Sequence, residues 1–320
     1  MILAGDIGGT KSNIGLFDVR DGQLVRIAHH RYSSHERAGL QDIVKEFLRE
    51  NPATITAASF GVAGPVVNNR VRGTNMPWTV DGEAMAALFG LSRVRILNDL
   101  EATAFGVRVL PPSDLEVIYE GVPVKDATCV VIAAGTGLGE AILFWDGKQH
   151  LAIGTEGGHA DFAPHTPQQA DLWKYLRNRY DYASAEILLS GRGFQNVHEF
   201  LDPAMKHPGF DDPAKDPAPL ITQQGLSGQC PVCAATLDLW TEIYGAEEGN
   251  FAVRALARGG VYVAGGIAVK VLPKLKDGRF AAAARDKEKM KDFLATVPIC
   301  VVLNEECPLI GAAYVAWKGL

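Results

Sequence analysis

The side chains best suited to chemistry stand where apolar runs end in glycine. Asp6 follows the run Ile2–Gly5 and leads into Gly8, Gly9, Thr10 and Lys11. A carboxylate beside exposed N–H groups repels bare phosphate, so the pairing makes sense with Mg²⁺ between them, bound directly or through water. Thr10 and Lys11 can donate to phosphate oxygens. The plainer reading is a hairpin turn. The pattern is neither a P-loop nor a dinucleotide fingerprint, because another apolar strand rather than a helix follows Gly9. The transition recurs at Cys129–Ala133 into Ala134-Gly-Thr-Gly-Leu-Gly139, and at Val261–Val263 into Ala264-Gly-Gly266. Such transitions spread along the chain suggest one nucleotide held by two lobes.

Asn98 and Asp99 follow the apolar run Val94–Leu97 and open a helical pattern. Either can cap that helix. A cap needs only one of them, so Asp99 is also a candidate general base that orients a sugar hydroxyl and takes its proton as a P–O bond forms. Glu101 reads as a first-turn helix charge. Gly154-Thr-Glu-Gly-Gly-His-Ala-Asp161 gathers ionisable groups in a glycine-rich turn, and Glu156 and His159 can accept from and donate to neighbouring hydroxyls. As a zinc site this set is incomplete. Glu186 reads equally as a third polyol ligand or a solvated helix face. The other histidines, His150, His198 and His207 among them, read as surface or loop residues. Trp78 is a candidate pocket wall, whereas Trp173 and Trp240 fit apolar helix stripes.

The elements that must carry these residues alternate between strand and helix. Ile2–Gly5, Ser12–Phe17 and Leu24–His30 read as strands, Leu40–Leu48 as a helix, and Thr54–Phe60 and Val94–Leu97 as strands separated by the helix Gly82–Phe89. The alternation predicts an α/β protein with part of its sheet parallel. Leu110-Pro-Pro-Ser113 marks a boundary, giving a smaller domain over 1–110 and a larger one over 111–307. Cys129–Ala133 and Glu140–Trp145 flank a glycine turn as the first two strands do, a faint internal echo. Later segments are helical: Pro167–Arg179, Ser184–Leu189, Phe194–Phe200, and Ala234–Leu256, whose apolar stripe can meet a neighbouring helix or a second subunit. Lys206–Leu220, rich in proline and charge, reads as an exposed loop. Ile299–Leu303 is a strand and Leu309–Trp317 an apolar helix.

Bulk properties narrow the partners. The 320 residues are 47% hydrophobic and 21% charged, with a net charge of −6, which suits a globular protein and gives no basic stripe for nucleic acid. No run reaches the ~18 apolar residues of a membrane helix, and no secretory signal is expected. The five cysteines lack framework spacing, which favours the cytoplasm. Cys230-Pro-Val-Cys233 lacks a second pair for a metal and the strand setting of a redox motif, so it reads as two reduced, partly buried thiols at a helix start.

Taken together, Gly5-Asp-Ile-Gly-Gly-Thr10, Gly61-Val-Ala-Gly-Pro65, Thr74-Asn-Met-Pro-Trp78, Leu97-Asn-Asp-Leu-Glu-Ala102, Ala134-Gly-Thr-Gly-Leu-Gly139, Glu156-Gly-Gly-His159, Ala160-Asp-Phe-Ala-Pro164, Ser184-Ala-Glu186, Leu189-Ser-Gly191 and Ala264-Gly-Gly266 resemble the proteobacterial-type glucokinase family, of the actin, hexokinase and chaperone ATPase superfamily. The motifs span nearly the whole chain in family order. The resemblance implies a two-lobed actin-like (ribonuclease H-like) fold with nucleotide and sugar in the interlobe cleft, the last helix (about 308–320) rejoining the first domain. It implies transfer of the γ-phosphoryl group of ATP, with Mg²⁺, to the 6-hydroxyl of glucose. Asp99 would be the base, and Asn98, Glu156, His159 and Glu186 the sugar ligands. Asp6 would be the magnesium-side carboxylate. Gly8, Gly9 and Thr10 would form the first phosphate loop and Gly135, Thr136 and Gly137 the second, with Gly265 and Gly266 near the adenosine. A cytoplasmic, glycolytic homodimer is implied as well. Rival expectations are a kinase for mannose or fructose, polyphosphate as donor, or a sugar-sensing regulator, which usually carries a DNA-binding module before the first glycine strand.

Overall fold

The computed structural model describes residues 1–72, 76, 78–204, 210 and 216–320. Thr74, Asn75 and Pro77 of the tryptophan motif, His207, and most of the proline-rich 206–220 stretch lie outside the described residues. The chain divides into two compact units. The first comprises Met1–Pro112, Ala152–Gly154 and Asn304–Leu320; the second comprises Ser113–Leu151 and Thr155–Leu303.

In the first unit β1 (Ile2–Ile7) pairs antiparallel with β2 (Lys11–Arg20), and β2 pairs antiparallel with β3 (Gln23–Ser33). On its other side β1 runs parallel to β4 (Ala57–Val62), and β4 parallel to β7 (Arg95–Asn98), giving the order β3-β2-β1-β4-β7. A small ribbon of β5 (Arg70–Arg72) and β6 (Thr79–Asp81) precedes the Gly82–Phe89 helix. The register sets Ile7 beside Val62 and Val62 beside Asn98, so β1 and β7 deliver their last residues to one edge of the sheet. One sheet face buries Leu3, Ile7, Ile14 and Phe60 against Phe47 and Met85. The other buries Ile2, Ala4 and Phe17 against Leu309, Ala312 and Ala313 of the Cys307–Lys318 helix. Each buried leucine, isoleucine, phenylalanine or methionine among them contributes roughly 1.5–3 kcal/mol. Trp78, expected at a pocket wall, belongs to this core: it is 9% exposed and its Nε1 donates to the Ser34 carbonyl at 3.3 Å.

The larger sheet, which apart from Ala152–Gly154 of β11 belongs to the second unit, has the order β11-β10-β9-β12-β13-β8, from β8 (Leu115–Tyr119), β9 (Cys129–Ala134), β10 (Leu138–Trp145), β11 (His150–Thr155), β12 (Gly260–Ala264) and β13 (Ile299–Val302). β9 and β10 are antiparallel around a glycine turn, whereas β12 runs parallel to β9 and β13 parallel to β12. This repeats the scheme of β1, β2, β4 and β7, so the faint echo in the sequence is a repeated topology.

The Pro231–Ala255 helix is buried on most of its faces, so its long apolar stripe is core. Phe194 stacks on its Trp240 at 4.7 Å, and a Cβ on Gly245 or Gly249 would stand 2.2 or 2.0 Å from the carbonyl oxygens of Phe280 and Ala284. Several sequence expectations fail here. Ala218–Leu220 open a helix (Ala218–Ser227) rather than extend a loop, because a helix accepts proline in its first turn, where the missing N–H has no intrahelical partner. Trp173 is 37% exposed, not core, because its helix buries Leu172 and Leu176 instead. His198 and His150 are buried, not at the surface, since their elements pack inward.

Candidate functional site

The first glycine turn is tightly built. The Gly8 N–H donates to the Lys11 carbonyl at 2.9 Å, and Ser34 Oγ donates to the Gly8 carbonyl at 2.8 Å. Thr10 and Lys11 are exposed at its outer rim. Asp6 pairs across the strands with Asn13, whose Nδ2 donates to Asp6 Oδ2 at 3.0 Å, while Arg31 Nε donates to Asn13 Oδ1 at 3.0 Å. Burial raises the Asp6 pKa; the Asn13 hydrogen bond and the Arg31 charge work against that without cancelling it.

Asn98 and Asp99 lie on the same edge of that sheet. Asn98 is the N-cap of the Asp99–Gly106 helix. Its Oδ1 accepts from Leu100 N at 2.9 Å and Glu101 N at 3.4 Å, and Glu101 Oε2 closes a capping box on Asn98 N at 3.0 Å. Asn98 Nδ2 donates to the Gly64 carbonyl at 3.1 Å. Asp99 Oδ1 accepts the Leu100 N–H at 3.0 Å. Gly61 lets this helix sit close to β4, since a Cβ there would meet the Ala102 Cβ at 2.8 Å.

In the second unit, Glu156 and His159 bracket a one-turn 3₁₀ segment, Gly157–His159, with His159 Nε2 3.8 Å from Glu156 Oε2. Both side chains are mostly exposed while their backbone is fixed. Ala185 N donates to the Ala160 carbonyl and Phe162 N to the Ala183 carbonyl, each at 2.9 Å, which ties this turn to the segment carrying Glu186. Two glycines permit close approach from below: a Cβ on Gly157 would lie 2.0 Å from Glu140 Oε2, and one on Gly158 would lie 2.2 Å from the Leu138 carbonyl. Glu186 is neither a solvated helix face nor remote from the glycine turn between β9 and β10. Its Oε2 accepts from Leu138 N at 3.1 Å, against Gly137.

The second glycine turn is closed by Gly135 N donating to the Gly137 carbonyl at 2.8 Å, and Gly191 N donates to the Gly135 carbonyl at 2.9 Å. Gly135, Thr136 and Gly266 line one cavity of ≈ 1100 Å³ together with Arg192, Phe194 and Lys270. Gly265 stands behind it in a left-handed conformation (φ 89°), where a Cβ would be 2.6 Å from the Ala134 carbonyl. Arg192 and Lys270 escaped sequence reading. Arg192 directly follows the Leu189-Ser-Gly191 motif, and Lys270 ends the short helix that begins at Gly266.

Glu140, beneath the Gly157–His159 turn, is the other residue that sequence reading missed. Burial pushes its carboxyl up to about 7, with Glu247 adding to the shift and Arg254 opposing it. Burial pushes the neighbouring buried acid Glu248 up to about 8. Among the described residues no helix is long and apolar enough to cross a membrane.

Comparison with known proteins gives a consistent set of relatives. The family model described as "Glucokinase" matches residues 3–318. A glucokinase of Trichormus variabilis is 35% identical over 337 residues, covering 99% of this chain and 98% of its own length. A crystal structure of glucokinase from an Antarctic psychrotroph superposes with a TM-score of 0.89 at 28% identity, over 99% of this chain and 98% of that one. A ROK family glucokinase from Streptomyces griseus, solved in complex with glucose and AMPPNP, shares the fold at a TM-score of 0.68 and 19% identity, over 99% of both chains.

Proposed function

The chain belongs to the glucokinase family and is an ATP-dependent glucose kinase; from that premise we propose that it transfers the γ-phosphoryl group of ATP to the 6-hydroxyl of glucose, with Asp99 as general base. The observation that carries the assignment of the base is the division of labour at the end of β7. Asn98 and Glu101 already satisfy the helix start, so a second carboxylate at position 99 is not needed as a cap. A sugar hydroxyl is a very weak acid. Asp99 therefore orients the oxygen and accepts its proton late, as the bond to phosphorus forms.

In this reading Glu156, His159 and Glu186 hold the remaining sugar hydroxyls, with the second N–H of the Asn98 amide as a further donor. Glu186 keeps one oxygen on the Leu138 N–H and offers the other to sugar, which links sugar binding to the second glycine turn. The turns at Gly8–Thr10 and Gly135–Gly137 offer N–H groups to phosphate oxygens. The first spends the Gly8 N–H on its own closure, so Gly9 and Thr10 become the donors, with Lys11 beside them. The ≈ 1100 Å³ cavity suits a nucleoside, with Lys270 and Arg192 as cationic partners for its polar groups. A single desolvated carboxylate, Asp6, together with phosphate oxygens and water, is a donor set that Mg²⁺ takes. When bound, the ion would neutralise charge on the phosphates. The family resemblance also supports a cytoplasmic, glycolytic homodimer, which sedimentation velocity of the purified protein would check for subunit number.

The test is a coupled assay across glucose, mannose and fructose, each with Mg²⁺-ATP and with polyphosphate, run on the wild type and Asp99→Ala. Glucose with ATP should be preferred. The substitution should lower kcat by about 10²–10⁴-fold while calorimetric glucose affinity stays within about tenfold, a 1.4 kcal/mol window. Unchanged turnover would remove Asp99 from the chemistry.

A further inference from the structure

Cys230 and Cys233 have no place in the chemistry above. Cys230 is the N-cap of the Pro231–Ala255 helix, and its Sγ accepts the Cys233 N–H at 3.3 Å. His198, in the Gly191–Leu201 helix, reaches the same point. One imidazole nitrogen and the two Sγ atoms lie within 4.8 Å of one another, and all three residues are buried. Among the described residues this is the one group of three His, Cys or carboxylate ligands gathered so closely. We propose that His198, Cys230 and Cys233 bind a single Zn²⁺ ion.

The donor types point to this metal. Two thiolates and an imidazole form a borderline-soft set that takes zinc and rejects Mg²⁺ or Ca²⁺, which prefer oxygen. Spacing agrees, because a Cys-x-x-Cys pair turns both sulfurs to one side of a helix start. With Zn–S bonds near 2.3 Å and a Zn–N bond of about 2.0–2.1 Å, tetrahedral donors stand roughly 3.3–3.8 Å apart. The present cluster closes to that size by side-chain shifts of about 1 Å. Burial disfavours the free Cys233 thiolate, so the charge must come with the metal, and the helix start assists it. The sulfurs sit at the N-terminus of a 25-residue helix, whose dipole favours negative charge. Binding balances as Zn²⁺ displacing one proton from each thiol, with the imidazole entering neutral; the protons leave to solvent and water takes the fourth position.

The site would join two helices that already meet through Phe194 and Trp240. The Gly191–Leu201 helix also brings Arg192, Phe194 and Gln195 to the ≈ 1100 Å³ cavity. Zinc would therefore fix the wall of that cavity from behind. Binding itself does not depend on which reaction the protein catalyses.

The test uses the full chain, purified with a non-chelating reductant, with metal content measured by mass spectrometry after gel filtration. About one zinc per chain is expected. After stripping with a chelator, titration with Co²⁺ should give the intense visible bands of a tetrahedral thiolate site, and adding Zn²⁺ should bleach them and raise Tm. Cys233→Ser should weaken zinc binding by more than the roughly 10–100-fold that loss of an outer-shell partner costs. Cys230→Ser/Cys233→Ser should abolish the cobalt bands while circular dichroism keeps the native helix signal. The wild-type cobalt spectrum decides the matter if that double variant does not fold. Reduced protein that takes up neither ion would overturn the site, whether its cysteines are found as thiols or as a disulfide before reduction. So would zinc that stays bound in the double variant.

Discussion

Neighbouring polar residues can carry different loads, and of Asn98 and Asp99 it is Asn98 that bears the structural one. Oδ1 of Asn98 is committed to the helix start, and its amide ties the helix to the Gly64 carbonyl. Asn98→Ala should therefore cost about 1–2 kcal/mol of stability, measured by urea denaturation. Asn98→Asp, which can still accept from the same N–H groups, should recover most of that loss but not the bond to Gly64. A second residue-scale test concerns the floor of the Glu156–His159 turn. Gly157→Ala places a methyl group 2.0 Å from Glu140 Oε2. The turn must then lift, with overpacking worth roughly 1–3 kcal/mol, and KM for glucose should rise about tenfold. Shortening the floor with Glu140→Ala in the same chain should restore part of the affinity. The residues that could act on ligands were legible because glycine and carboxylate together at the end of an apolar run are rarely neutral in meaning. Glu140 was not. In the sequence it is one polar position in an otherwise apolar strand run, and only the Gly157–His159 turn above it and Glu247 beside it make it a buried acid.

At the scale of elements, the helix that begins with Asp99 is held by contacts too close for any side chain. A Cβ on Gly311 would lie 1.8 Å from the Ala102 carbonyl, and one on Gly106 would lie 2.2 Å from the Cys307 carbonyl. Gly311→Ala must push the Cys307–Lys318 helix away from its neighbour. Stability should fall by about 1–3 kcal/mol. Turnover should fall with it, because the shift reaches the start of the Asp99–Gly106 helix. Parallel measurements of kcat and Tm would show whether they move together; an active variant of normal Tm would mean the contact carries no strain. The helices themselves were readable from the spacing of Leu40, Ile43, Val44 and Phe47, and of Leu237, Trp240, Tyr244 and Phe251. What each face packs against was not, since periodicity marks an apolar stripe without naming its neighbour. For the same reason Trp173 was mistaken for core, and His198, buried beside Cys230 and Cys233, for surface.

For the whole molecule, one strand scheme used twice explains why similar glycine turns lie so far apart in the sequence. Each sheet turns an antiparallel pair at its first glycine loop and sets two later strands parallel to the first, so the ends of those strands bring their loops to one edge. The alternation of strands and helices made the α/β class legible, but strand order depends on pairings between distant segments that a single sequence does not display. Two buried acids of the second unit contribute to how stability responds to pH. Glu140 and Glu248 have folded-state pKa values of about 7 and about 8 against an ordinary 4.5. The folded form thus holds protons that the unfolded chain releases. That contribution is complete below about pH 4.5 and is lost as pH rises through 7 and 8. Tm should decline from pH 6 to pH 9. Glu140→Gln/Glu248→Gln should flatten the decline, raising Tm at pH 9 by roughly 2–4 °C for each kcal/mol recovered, with little gain at pH 5.

The Cys307–Lys318 helix covers the sheet face formed by Ile2, Ala4 and Phe17, although those residues leave the ribosome some three hundred positions earlier. At ~5–20 residues per second, the face waits roughly 15–60 s before its cover is translated. During that interval the nascent chain presents an open oily surface, and the Asp99 helix lacks its closest support. A chain released before residue 307 would keep every residue proposed for the site but lack the helix that packs against the Asp99–Gly106 helix. Early termination should therefore yield aggregating, inactive protein that a chaperone retains.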